Sequence, residues 1–352
     1  MRLRGPDDPV LTAAGAHLRA GGLVAFPTET VYGLGADATQ AAACRRIYAV
    51  KGRPADNPLI VHFAGLADVE ATLGPLGPMG RALAEHVWPG PLTLVVARPE
   101  GVLEAAAAGL DTVAVRVPAH PVARALVEAA GRPVAAPSAN RSGRPSTTTA
   151  ESVWQDLAEA AAAGEDVSDV WLLDGGPAPL GVESTVVDVT GDRPRILRWG
   201  ALSAAEVARW AGPVAAGGEG RRSPGTRHRH YAPRLPLWVF EAGCPSARLA
   251  EWIAGRPGTV GVLAPPERLA DLLPRLGEAA GRVRARPLGG ESDPEGEAAA
   301  RDLFACLRWL EEVGAQEALA ELPADGRGRR AAVRDRLVRA AEGRRLEPEG
   351  TT

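Results

Sequence analysis

Short apolar runs broken off by glycine or proline recur along this chain and constrain its fold more than any other feature. In the first two thirds they are LVAFPT (23–28), LIVHF (59–63), LTLVVA (92–97), TVAVRV (112–117), PVAAP (133–137) and VWLLDGG (170–176). The pattern returns as PLWVF (236–240), TVGVLAP (259–265) and VRARPLG (283–289). Each is short enough for a buried strand, and Ala-rich stretches of helical spacing separate most of them. Helices are expected at 9–20, 40–50, 79–87, 121–130 and 204–210, then at 247–254, 267–276, 294–313 and 330–341. Strands alternating with helices indicate an α/β class. GVESTVVDVTGDRPRILRWG (181–200) reads as a hairpin turning at Gly191-Asp192. TETVYGLGADAT (28–39) reads as a Gly-punctuated loop, with Thr39 as N-cap of the next helix. Polar clusters then fall at strand ends, where α/β proteins carry their ligands.

At 352 residues the chain is long enough for two cores. A composition break supplies the boundary: AGPVAAGGEGRRSPGTRHRHYAPRLP (211–236) is rich in Gly and Pro, with five arginines, two histidines and no acid from Arg221 to Arg234. The expected layout is a first domain over 1–212, a basic linker over 213–236 and a smaller α/β domain over 237–346. The net charge of −3 argues against a polycation that coats nucleic acid, though not against a local basic face. Cys44, Cys244 and Cys306 are too scattered for a disulfide framework or a zinc pattern. No apolar run approaches the ~18 residues of a membrane span, and the N-terminus lacks a signal-peptide core. A cytoplasmic protein without membrane attachment is expected.

The alphabet is narrow, and its exceptions are informative. Of 40 Lys and Arg residues only Lys51 is lysine, and the only asparagines are Asn57 and Asn140. Lys, Asn, Tyr, Phe and Ile together supply fourteen residues, eight of them between Phe26 and Phe63. A G/C-rich coding sequence explains their scarcity but not their survival in this stretch. Lysine is a compact point charge where arginine is a planar fork, so a retained lysine suggests an anion such as phosphate. In TVAVRV the alternation sets Arg116 on the face opposite Val115 and Val117, where it must find an anion or reach water. That leaves a ligand site and a structural ion pair as equal alternatives. In SANRSGRPSTTTAESVW (138–154), Ser146 to Thr149 could simply cap the following helix. Ser138 and Asn140 precede any helix and are poorly explained by capping.

Several chemistries are excluded. The chain has no GxxxxGK[ST], and Gly33-Leu34-Gly35 lacks the third glycine of a dinucleotide fingerprint. HExxH, CxxC, acidic metal clusters and a GxSxG elbow are missing, and His228 with His230 is a weak metal signal. What remains is cationic and hydroxyl-rich: Lys51, Arg53, Arg116 and Arg198 with Thr28, Thr30, Asn57, Ser138, Asn140, Ser146 and Ser184. Four cations with neutral donors suit a polyanion such as a nucleoside triphosphate. Phosphoryl or nucleotidyl transfer needs positioning and charge stabilisation rather than a nucleophile.

In order and spacing, PTETVYGLG, KGRPADNPLIVH, PSANRSGRPS and GVESTVVD with RILRWG resemble the threonylcarbamoyl-AMP synthase family. SPGTRHRHYAP followed by an α/β domain is similar to its long, two-domain form, although Thr226 stands where the family's linker usually has methionine. The resemblance spans nearly the whole chain. It implies a YrdC-like α/β domain with a twisted mixed sheet, followed by a smaller Rossmann-like α/β domain. It also implies a reaction, in which L-threonine, bicarbonate and ATP give threonylcarbamoyl-adenylate and pyrophosphate. Mg²⁺ is expected on the phosphates, with no metal held by protein side chains. The product would pass to a downstream tRNA threonylcarbamoyltransferase. Carried onto this sequence, Thr30, His62, Arg116, Ser184 and the backbone at Ala136 would hold threonine. Arg53, Asn57, Thr112, Ser138, Ser146, Arg198 and Tyr231 would hold ATP, and Lys51 and Arg53 would act at its phosphates. Arg229 and His230 would belong to a lid that orders over the nucleotide. Two rivals use related features. A double-stranded-RNA-binding module would array the same arginines on a concave basic face. A carbamoyltransferase of hydrogenase maturation shares the first domain but adds a cysteine-rich zinc region, which three scattered cysteines do not supply.

Overall fold

The computed structural model describes residues 5, 7–215, 231–324, 326 and 328–348. The chain divides into two compact units, Met1–Ser142 with Ser146–His228, and Gly143–Pro145 with Arg229–Thr352.

The first unit is built on β1 (Leu23–Phe26), β2 (Gly33–Asp37), β3 (Ile60–His62), β4 (Leu92–Ala97), β5 (Thr112–Arg116), β6 (Val134–Ala135), β7 (Val170–Leu172), β8 (Thr185–Asp188) and β9 (Arg195–Arg198). Among the described residues these form one mixed sheet in the order β7-β1-β2-β6-β3-β5-β4-β8-β9. Its helices are α1 (Pro9–Arg19), α2 (Ala41–Lys51), α3 (Leu66–Leu73), α4 (Pro78–Val87), α5 (Glu104–Ala107), α6 (Pro121–Ala130), α7 (Ala150–Ala162) and α8 (Ala204–Ala211). Two cores follow from strands apolar on both sides. One joins Leu23, Leu34 and Val61 to Ile47 of α2, Leu83 of α4 and Val153 of α7. The other joins Val24, Phe26 and Val134 to Leu11 and Leu18 of α1 and Leu126 of α6. α1 and α6 pack closely because residue 15 is glycine: a Cβ there would lie 2.5 Å from the Ala129 carbonyl carbon.

Helix ends follow local chemistry. Asp8 caps α1 through its carboxylate, with Pro9 in the first turn. Thr149 caps α7 in a reciprocal box with Ser152. Thr39, by contrast, is not the N-cap of α2. That position is Gln40, and the Thr39 hydroxyl instead donates to Asp37 Oδ1 at 2.7 Å. Nor is 28–39 wholly a loop: its second half is β2, paired antiparallel with β1 and β6. The glycines that suggested a loop admit a close neighbour, since a Cβ on Gly35 would stand 2.7 Å from the Phe26 ring. α3 and α5 carried no recognised signal.

The second unit holds β10 (Leu237–Glu241), β11 (Val260–Ala264), β12 (Val283–Pro287) and β13 (Glu317–Leu322), parallel throughout in the order β10-β13-β11-β12. α9 (Ser246–Ala254) and α10 (Pro266–Leu272) share a core with β11, while α11 (Glu297–Glu312) and α12 (Arg330–Ala340) pack on each other. β13, central between β10 and β11, was missing from the sequence reading. Its sequence EALAEL favours helix by propensity, and only burial between two parallel neighbours makes it a strand. Among the described residues no helix is long and apolar enough to cross a membrane.

Candidate active site

Loop 27–32, which follows β1, is the hub of the site. Thr28 Oγ1 donates to the Val31 carbonyl and lies 2.8 Å from Thr30 Oγ1, which closes the loop on itself. Tyr32 N donates to Thr147 O, and Leu180 N donates to Glu29 O, both through the main chain. The loop therefore ties together the Ser-rich segment after β6 and the segment before β8.

Arg116 ends β5 and is 3% exposed. Its guanidinium donates from Nη2 to Glu29 Oε1 at 2.6 Å, from Nη1 to Thr30 Oγ1 at 3.0 Å and from Nε to Gly90 O at 3.3 Å. The anion demanded by an arginine in an apolar strand is thus first of all Glu29, a buried ion pair. Burial pushes the Glu29 carboxyl up, but the Arg116 charge and hydrogen bond, with backbone amides of Glu29 and Ala119, outweigh it. The net shift is downward, and the group stays ionised. These bonds account for three of the five N–H donors of Arg116.

His62 pairs with Arg116 across the parallel β3–β5 ladder, and the Phe26 ring meets it edge-on. Burial, followed by the Arg116 charge, lowers its pKa to about 3, so it is a neutral imidazole at any physiological pH. Its Nδ1 is buried with no hydrogen-bond partner, as are Glu29 Oε2 and Thr112 Oγ1. Buried polar atoms rarely stay unpaired; Glu29 and His62 both meet Arg116, whereas Thr112 stands at the other end of β5. Ala136 follows β6 and spends its N–H on Ile60 O.

Ser184 stands before β8. Its hydroxyl lies 2.7 Å from Thr93 Oγ1, and Arg198 Nη2 donates to both its carbonyl and its hydroxyl, at 3.0 and 3.2 Å. Gly200 lets the hairpin close this tightly, because a Cβ there would fall 2.3 Å from Thr185 N. Ser146 Oγ donates to Glu183 Oε1 at 2.6 Å, one residue from Ser184.

Lys51 closes α2, is 3% exposed, and donates from Nζ to the carbonyls of Ser138, at 2.6 Å, and of Asn140. Burial, with Arg53 and Arg141 nearby, holds its pKa well below the usual lysine value despite the opposing charge of Asp156. The single lysine is therefore a fastener of the Ser-rich loop. Arg53 braces its own turn, with Nε on Asn57 O at 3.2 Å and Nη2 on Pro58 O at 2.8 Å. All four expected cations, Lys51, Arg53, Arg116 and Arg198, are buried to 8% exposure or less. They line an interior and do not form the exposed basic face that an RNA-binding module would need.

Tyr231 lies in the second unit, its ring stacked on Phe304 with the Arg336 guanidinium over it. Arg229 and His230 fall outside the described residues, so the lid expectation has no structural description. Sequence reasoning put Glu183 in the polar mouth of the hairpin with Ser184 and Thr185, but missed Glu29 as a partner of the site's donors. The signal for Glu29 was available: Arg116 required an anion, and PTET carries the acid amid hydroxyls.

A family model described as "Telomere recombination" matches residues 16–200, and one described as "Threonylcarbamoyl-AMP synthase, C-terminal domain" matches residues 200–342. The chain is 40% identical over 351 residues to the threonylcarbamoyl-AMP synthase of Bacillus subtilis, covering 96% of this chain and 94% of that protein. It is 39% identical over 340 residues to that of Pyrococcus abyssi, covering 93% of each. The crystal structure of P. abyssi Sua5 complexed with L-threonine superposes with a TM-score of 0.83 at 36% identity, over 98% of both chains. With both family models matched in sequence and relatives aligned nearly end to end, the chain belongs to the threonylcarbamoyl-AMP synthase family.

Proposed function

We propose that this chain condenses L-threonine, bicarbonate and ATP into threonylcarbamoyl-adenylate, releasing pyrophosphate, for the threonylcarbamoyl modification of tRNA adenosine. The observation that carries the reading is the buried group of Arg116, Thr30 and neutral His62 within a family fold matched along its length. Arg116 retains donors for an amino-acid carboxylate. Thr30, His62 and Ser184 are the polar groups for the rest of threonine, with the Ala136 backbone beside them. Because His62 is neutral, it contributes hydrogen bonds and no charge.

ATP falls to Arg53, Asn57, Thr112, Ser138, Ser146 and Arg198, with Tyr231 as a further candidate. Lys51 acts on this set by fixing the carbonyls of Ser138 and Asn140. Threonine nitrogen, after its ammonium proton is released to solvent, adds to the bicarbonate carbon with loss of water. A carbamate oxygen then attacks the α-phosphorus, and pyrophosphate leaves. Mg²⁺ is expected on the triphosphate, as part of the substrate, where it would offset charge on the leaving pyrophosphate. The labile product calls for a tRNA-modifying transferase that accepts it, and a cytoplasmic setting suits both.

The test is pyrophosphate release from ATP with threonine and bicarbonate added singly and together. Release that requires both supports the reading. Release that ignores either would overturn it.

A further inference from the structure

Among side chains Glu29 has so far met only Arg116, and that ion pair occupies one of its two carboxylate oxygens. Oε1 accepts from Arg116 at 2.6 Å; the amides of Glu29 and Ala119 face the carboxylate, yet Oε2 is buried with no donor in hydrogen-bonding geometry. The side chain is 10% exposed and that of Arg116 4%, so water compensates neither well. An ionised carboxylate oxygen left unpaired in such a place is costly, unless a donor fills it in the working state. The group beside it restricts which donor. Arg116 keeps N–H donors for a carboxylate, and the Glu29 carboxylate is hydrogen-bonded to the same guanidinium. A negative acceptor and a positive donor thus stand side by side, at the separation of one hydrogen bond. That charge pattern is complementary to an α-amino acid zwitterion, whose ammonium and carboxylate sit on one carbon.

We propose that Glu29 is a substrate-binding residue, Oε2 receiving the α-ammonium of the amino acid while Arg116 receives its carboxylate. The inference rests on the threonine reading above and adds to it a determinant that separates amino acids from hydroxy acids. Thr30, bonded to Arg116 and to Thr28, braces the guanidinium. Leu180 N, bonded to the Glu29 carbonyl, fixes the backbone from which the carboxylate projects.

The test compares two ligands on the full-length protein by calorimetric titration: L-threonine, and 2,3-dihydroxybutanoate, which carries a hydroxyl in place of the amine. Wild type should prefer threonine by at least about tenfold, because only the ammonium is charge-assisted at Oε2. Glu29→Gln should weaken threonine by at least about tenfold and dihydroxybutanoate by less than about threefold, with ATP affinity unchanged. Glu29→Asp, which keeps the charge, should retain the preference for threonine. If both ligands weaken in parallel in Glu29→Gln, the residue only braces Arg116 and the proposal falls. A wild type that shows no preference between the two also overturns it, even if the Gln variant does not fold. A wild type that binds no threonine at all would sink the functional reading itself, which keeps the two failures apart.

Discussion

Lys51 shows how a residue can be singled out by sequence for one reason and placed by structure for another. Its retention among arginines suggested a point charge on phosphate, yet its ammonium ends on two carbonyls of the Ser-rich loop. The two roles are compatible, since an amine that fixes the loop also positions Ser138, which is proposed to meet ATP. A guanidinium is bulkier and planar and cannot occupy the same pocket between the Ser138 and Asn140 carbonyls. Lys51→Arg is therefore expected to lower turnover by more than about tenfold, roughly 1.4 kcal/mol of barrier. Pyrophosphate release at saturating substrates measures it, and near-wild-type turnover would show the lysine to be incidental. His62 gives a second prediction at this scale. Its folded pKa of about 3 lies below the ordinary 6.5, so the unfolded chain binds the proton more readily. Stability from this group is therefore complete above pH 6.5 and is lost as pH falls toward 3, by up to about 1.4 kcal/mol per pH unit. His62→Asn should flatten the dependence of melting temperature on pH between 6.5 and 4.5. A variant whose melting falls as steeply as wild type would place the sensitivity elsewhere.

Among the elements, the β8–β9 hairpin was legible because an apolar run, a Gly-Asp turn and a second run leave no other economical reading. β2 and β13 were not, for opposite reasons. β2 is glycine-punctuated because the Phe26 ring and the Val134 side chain press on it. β13 is written in helix formers, and its strand state comes from two parallel neighbours remote in sequence. In both, tertiary contact overrode local preference, which no local pattern can show. The hairpin also carries a prediction. A Cβ at Gly200 would meet backbone atoms of residues 183–185, which cannot give way as a flexible side chain can. Gly200→Ala should displace Ser184 and Arg198 together, costing about 1–3 kcal/mol of stability and raising the KM for threonine. Unchanged melting and unchanged KM would show that the turn relaxes without moving the site.

At the scale of the molecule, the motifs announced the family while physics alone stopped at a cationic, hydroxyl-lined site. The reason lies in Glu29: a carboxylate among threonines has no periodic signature, and its pairing with Arg116 joins residues 87 positions apart. A polar pocket of this kind also ranks substrates. Serine lacks one methyl and should be disfavoured by only about 1–3 kcal/mol, whereas valine would leave the hydroxyl's partners unpaired and fare far worse. Adenylate formation with each amino acid checks the order, and valine equal to serine would show that Thr30 and Ser184 are misassigned. The central claim is that one product contains threonine, bicarbonate carbon and the α-phosphorus of ATP. It is tested most directly by supplying ¹⁴C-bicarbonate and α-³²P-ATP together with threonine and isolating the adenylate. The account predicts both labels in equal molar amounts in a single threonine-dependent species. A ³²P-labelled adenylate free of ¹⁴C, such as a plain aminoacyl-adenylate, would contradict it.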